Sequence, residues 1–333
     1  MSKMVDFQEM RSKLLEVSDA VDASLEAGLS DPRLGSIVQV LTYDQQSTGK
    51  RLRPTLASFI SLTLEGDFDK TIEFATGCEL LHSASLMLDD HIDGDDTRRG
   101  RPTVSAMFGG GMSMMGTYIL ALFGIKRGIA INLKIGKLLV DTTERLVVGG
   151  TDELCWEGWD HADYFNIIRN KTVALFEAPC ILGAIAADGG DKYEKLAENY
   201  GYHVGMAYQL SDDYVDIAKS IKIRQPIGDI KNRNTTTAII HCYENTGKPE
   251  IRMILDLYRK KVDLPDAYLR MILDEIEACN SMEYLRKIID FHMKKAEEIS
   301  LQFPDNEHRD YLTTMPSFMV DAQMQEIDMP DFT

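Results

Sequence analysis

The 333-residue chain is expected to fold as a single all-α domain, residues 1–333. Three observations lead there. Apolar residues recur every three to four positions through Phe7 to Leu25, Leu56 to Leu88, Val173 to Ala187 and Tyr193 to Ile217, the period of an amphipathic helix. Strand-like alternation is scarce. The ten prolines are few, and Pro32, Pro54, Pro102, Pro226, Pro265 and Pro304 fall where helices would break. No low-complexity linker or short repeat divides the chain, so helices around one core are the simplest architecture. Gly109-Gly110-Gly111 lies between helical stretches and reads as a connection. It lacks the preceding strand that a dinucleotide-binding loop needs.

Composition narrows the function. The formal net charge is −17 and 44% of residues are hydrophobic. So acidic a chain lacks the basic footprint of a nucleic-acid binder, and no nucleic-acid partner is expected. An anionic substrate stays open, because local cations or bound metal can invert the field at one site. Cys78, Cys155, Cys180, Cys242 and Cys279 are far apart and form no C-x-x-C pair, which predicts a reduced, cytoplasmic setting. The N-terminal MSKMVDFQEMRSKLLEV is charged and has no apolar h-region, so no signal peptide is predicted. No run of about 18 apolar residues is evident, and no membrane span is predicted.

The most informative segment is ELLHSASLMLDDHIDGDDTRRGRPT. Its apolar helical run ends in Asp89-Asp90-His91-Ile92-Asp93. Asp89 and Asp93 are i and i+4, so their carboxylates share a helix face and repel. The C-terminal end of a helix also disfavours anions. A cation is the natural compensation, and Mg²⁺ suits it: one or two carboxylates plus substrate phosphates are its usual ligands. Arg98 and Arg99 follow as forked donors for diphosphate oxygens. Glu79 and His82 spell one E-x-x-H; a di-iron bundle needs two, and no second is present.

A second cluster, GMAYQLSDDYVDIAKS, places Asp212 and Asp216 at i and i+4 with Asp213 between them. Two such clusters suggest carboxylate rims facing each other around a shared polyanion. Lys171-Thr172 supplies an amine and a hydroxyl, and Gly49-Lys50-Arg51-Leu52-Arg53-Pro54 is a strong local inversion of charge in an acidic chain. Pro54 suits the first turn of a helix.

From Gly49 to Thr237 these residues resemble the polyprenyl synthetase family, the trans-isoprenyl diphosphate synthases. Five pieces occur in the family's order: GKRLRP, LH-x6-DDHID, RRGRPT, KT-x2-LF and YQLSDDYVD. The resemblance implies a bundle of long antiparallel helices around a deep apolar cavity, assembled as a homodimer. It implies that isopentenyl diphosphate and an allylic diphosphate are the substrates. Lys50, Arg53 and His82 would hold the former, with Arg99 assisting. Asp89, Asp93 and Asp212 would bind Mg²⁺, with Asp90, Asp213 and Asp216 as further ligands or supports. Arg98, Lys171, Thr172 and Gln209 would hold the allylic diphosphate.

The chain departs from that pattern in three places. Gln225 stands where the family usually has a lysine, and Arg233-Asn234-Thr235-Thr236 replaces a second lysine-bearing stretch. Arg224, Arg233 and Lys222 are the nearby cations expected to substitute. Gly116-Thr117 replaces a common Gly-Asp pair. Product length is set in the family by side chains before the first cluster. Ala84 and Ser85 are both small, with Leu81 a turn deeper, so a product of twenty carbons or longer is expected. A class I terpene cyclase and a non-catalytic subunit of a heteromeric synthase are the alternatives. Two intact aspartate clusters and Lys50/Arg53/His82 favour elongation over both.

Overall fold

The structure, a computed structural model, describes residues 5–29, 35–45 and 49–328. Pro32, one of the expected breaks, and the first four residues of the N-terminal segment lie outside the described residues. Helices dominate, as the apolar periodicity predicts. In chain order they are α1 (Phe7–Leu29), α2 (Ile37–Gln45), α3 (Leu52–Thr63), α4 (Phe68–Asp93), α5 (Val104–Phe108), α6 (Gly110–Ile131), α7 (Leu133–Cys155) and α8 (His161–Ile168). A π-helical turn (Arg169–Val173) leads into α9 (Ala174–Ala186) and α10 (Gly190–Ile223). Then come α11 (Gly228–Asn232), α12 (Thr237–Asn245), α13 (Pro249–Arg259), α14 (Asp266–Ala278), α15 (Ser281–Ser300), α16 (Glu307–Met324) and a 3₁₀ turn (Gln325–Asp328).

Pro54 sits in the first turn of α3, where a missing N–H costs nothing. Asp67 caps α4 by accepting from Lys70 N at 2.7 Å. The same helix stops at Gly94, whose left-handed φ of 70° lets its N–H return to the Asp90 carbonyl. Among the described residues the strands are β1 (Thr97–Arg98) and β2 (Arg101–Pro102), an antiparallel hairpin turned through Arg99 and Gly100, both at positive φ.

α3, α4, α9 and α10 form the central wall, with α6 against α4, α15 against α10 and α7 against α9. Ala57, Ala75, Cys78, Leu81, Leu139, Leu175 and Leu182 join α3, α4, α7 and α9 in one buried cluster. Leu56, Phe59, Phe176, Cys180, Tyr200 and Met315 tie α3, α9, α10 and α16 in another. These two clusters fix the spacing of α4 and α10, between which the cavity described below opens.

The structure adds to one expectation. α6 is long and apolar enough to cross a membrane, by length and composition alone. Lys126 and Arg127 near its end interrupt the apolar run, which is why no uninterrupted stretch stands out in the sequence. Much of its surface is open: Met114, Met115, Tyr118 and Leu122 are exposed, as are Leu133, Val140 and Val147 on the adjoining α7.

Candidate active site

A cavity of ≈ 800 Å³ opens between the C-terminal end of α4 and the middle of α10. It brings together Lys50, Arg53, His82, Ser85, Asp89, Asp90, Asp93, Arg98, Arg99, Lys171, Thr172, Gln209, Asp212 and Asp213. Leu52, Leu86, Ile167, Ile168 and Leu175 form its apolar wall. The i,i+4 spacing turns Asp89 and Asp93 of α4 toward one space, and Gln209 and Asp213 of α10 share that spacing on the opposite side, with Asp212 beside them.

On the first rim, burial pushes the Asp89 carboxyl up to about 6, while Lys171 opposes the shift and Glu153 and Asp93 add to it. Burial also raises Asp90, against the pull of Arg98, whose Nε donates to Asp90 Oδ1 at 2.6 Å. Lys171 rides on the π-turn and reaches Glu153 at 2.5 Å and Asp89 at 3.9 Å. Such turns widen a helix by one residue and often mark functional positions. Glu153 joins the site with nothing in its local sequence to distinguish it.

On the second rim, burial pushes Asp212 up to about 6, with Asp216 and Glu326 adding to the shift. Asp213 is pushed by burial to about 7 and accepts from Tyr164 Oη at 2.6 Å and Gln209 Nε2 at 2.9 Å. Asp216, expected among the metal ligands, does not line the cavity. Its carboxylate turns to the start of α11 and accepts from the Asp229 N–H. A Cβ at Gly228 would collide with that carboxylate, so glycine permits the approach. Asp229 lines the cavity and is held well above the usual carboxylate range by burial and by Asp216 and Asp213.

The GKRLRP cations divide. Arg51 is structural: it is buried, and pairs with Glu79 at 2.6 Å and Asp22 at 2.7 Å. The E-x-x-H is thereby split, Glu79 serving Arg51 and His82 standing 2.9 Å from Arg53 through its Nε2. Lys50 is exposed and pairs with Glu326 at 3.1 Å. Burial, then Arg53 and Arg99, hold His82 well below its usual range.

Of the expected tail residues, only Ser85 lines the cavity. Ala84 is buried in a cluster with Val21, Leu41, Met87 and Leu120, and Leu81 lies in the α3/α4/α7/α9 core. The substitute cations expected near the second cluster do not line the cavity either. Arg224 pairs with Glu277 at 2.7 Å, Arg233 with Asp263 at 3.1 Å, and Lys222 donates to the Ile327 carbonyl at 3.0 Å. Asn234, Thr235, Thr236, Arg259 and Lys261 line that side instead.

The donor set fits a hard divalent cation. Asp89, Asp93, Asp212 and Asp213 offer only oxygen, and the upward shifts of Asp89, Asp212 and Asp213 come first from burial, with neighbouring carboxylates adding to them, so a bound cation would offset both. Among the described residues no three His, Cys, Asp or Glu side chains converge as a finished cage. Mg²⁺ would draw its remaining ligands from water and phosphate, as it usually does.

Known proteins share this arrangement of helices. The model of the family described as polyprenyl synthetase matches residues 35–275. An octaprenyl diphosphate synthase of Haemophilus influenzae is 28% identical over 298 residues, covering 86% of this chain and 88% of that one. A short chain isoprenyl diphosphate synthase of Methanocaldococcus jannaschii is 28% identical over 248 residues, 72% of this chain and 75% of its own. Among solved structures, a polyprenyl synthase of Caulobacter crescentus CB15, complexed with calcium and isoprenyl diphosphate, superposes with a TM-score of 0.82 at 23% identity, covering 93% of this chain and 97% of that one.

Proposed function

The chain belongs to the polyprenyl synthetase family, and on that premise we propose that it is a magnesium-dependent prenyl diphosphate synthase that condenses isopentenyl diphosphate with an allylic diphosphate. The observation that carries this reading is the pair of aspartate rims, Asp89/Asp93 and Asp212/Asp213, on one cavity with Lys171, Arg53 and His82.

When bound, Mg²⁺ supplies charge neutralisation to the departing diphosphate. Lys171, Thr172 and Gln209 hold that diphosphate over the rims. The allylic C–O bond breaks to give a carbocation, and Arg53 and His82 keep isopentenyl diphosphate where its double bond can attack. The new C–C bond forms, and the proton leaves to the released diphosphate. Leu52, Leu86, Ile168 and Leu175 keep water from the cation.

The small Ser85 on the wall supports a product of twenty carbons or longer. The exposed apolar surface of α6 and α7 supports a homodimer, because a second copy of the same surface would cover it. The test is incorporation of labelled isopentenyl diphosphate into apolar product by the chain alone, with a chelator control. Incorporation that stops when Mg²⁺ is removed supports the reading, and incorporation that persists contradicts the metal's part in it.

A further inference from the structure

Where the end of α13 meets the cavity stands an arginine whose charge is poorly matched. Arg259, at the end of α13, is 9% exposed. Its Nε donates to the Gly158 carbonyl at 3.1 Å and its guanidinium lies 4.3 Å over the Trp156 ring. Its Nη2 is buried with no hydrogen-bond partner among the described residues. Burial lowers its pKa, and the Glu157 carboxylate offsets this only in part. A buried cation with an unused donor is expensive, and an anionic ligand in the cavity it lines would offset that cost. Near it in the cavity lining are further orphaned groups, the Trp156 Nε1 and the Thr235 and Thr236 hydroxyls. The indole can only donate, and the hydroxyls can donate. Lys261 adds a second cation to this lining.

We propose that Arg259, with Trp156, Thr235, Thr236 and Lys261, forms a diphosphate-binding wall that holds the allylic substrate from the α13 side. This rests on the reading above and extends it. The wall supplies cationic holding beside Asn234, which lines the cavity and carries no charge. Arg224, Arg233 and Lys222 pair elsewhere and are not needed for it.

The experiment measures inorganic pyrophosphate binding in Mg²⁺ by calorimetry, together with KM for each substrate, on the full chain and on Arg259→Gln. Loss of a charged hydrogen-bond donor predicts pyrophosphate affinity and allylic KM both worse by about tenfold or more, with the isopentenyl KM within about twofold. Unchanged pyrophosphate affinity, or an equal rise in both KM values, overturns the proposal. Should Arg259→Gln fail to fold, Thr235→Val decides: about threefold weaker pyrophosphate binding is expected and unchanged binding overturns it. If the wild type binds pyrophosphate through Arg259 but does not elongate, the wall stands and the proposed function falls.

Discussion

Arg53 Nη1 lies 2.9 Å from His82 Nε2, and this contact fixes the state of the imidazole. A guanidinium can only donate, so Nε2 accepts and the ring proton sits on Nδ1. The ring is then neutral, in line with its depressed pKa. Its Nδ1 is buried without a partner among the described residues, as is Arg53 Nε, so both are donors available to a ligand. His82→Ala is expected to raise the isopentenyl diphosphate KM by about tenfold and leave the allylic KM within about twofold. Steady-state kinetics with each substrate varied in turn checks this, and equal effects on both would contradict it.

The tail path predicts opposite outcomes at adjacent positions. Ser85→Phe adds bulk on the cavity wall and is expected to shorten the main product. Ala84→Phe instead overpacks a buried cluster and is expected to cost about 1–3 kcal/mol of stability. Chromatographic sizing of products and denaturant titration separate the two.

The open apolar surface of α6 predicts sensitivity of assembly. Leu122→Glu and Tyr118→Glu place charge on residues that are 59% and 62% exposed in the single chain. Sedimentation is expected to show a dimer for the wild type and a monomer for the double variant. A wild type that is monomeric at micromolar concentration would remove this part of the account.

Acid stability should depend on a histidine pair. His203 Nδ1 and His292 Nδ1 are 2.9 Å apart, and burial, then His203, pushes His292 down to about 4. Below about pH 6.5 the unfolded chain takes this proton while the folded chain resists until about 4. The unfolded state therefore binds more protons in that window, and stability falls as pH drops through it by roughly 1 kcal/mol per unit. The raised carboxylates of the cavity act in the opposite sense, so the difference from His292→Gln is the measurement. Denaturant titrations of the two proteins from about pH 6.5 to 4.5 should converge, and parallel curves would contradict the assignment.

The aspartate rims are legible in the sequence because their signal is local: a four-residue spacing on a helix fixes a shared face. Lys171-Thr172 is legible as chemistry, but the π-turn that presents it is not, since periodicity does not register one added residue. Arg51 and Arg53 look alike in GKRLRP. Both line the cavity, and only the remote Asp22 and Glu79 tie Arg51 up in ion pairs while Arg53 Nε stays without a partner among the described residues. Tyr164, Asp229 and Arg259 escape sequence reading for the same reason, each being brought in by tertiary packing from sequence without a distinguishing motif. The same packing turns Asp216 away toward Asp229, although its spacing from Asp212 matches that of the first rim.

The most direct test is product sizing with the purified chain as the sole protein, supplied with Mg²⁺, isopentenyl diphosphate and dimethylallyl, geranyl or farnesyl diphosphate in turn. The account predicts elongation of at least one primer to twenty carbons or more, abolished in Asp89→Asn and Asp212→Asn. No elongation of any primer by a folded wild type with metal in excess would contradict it.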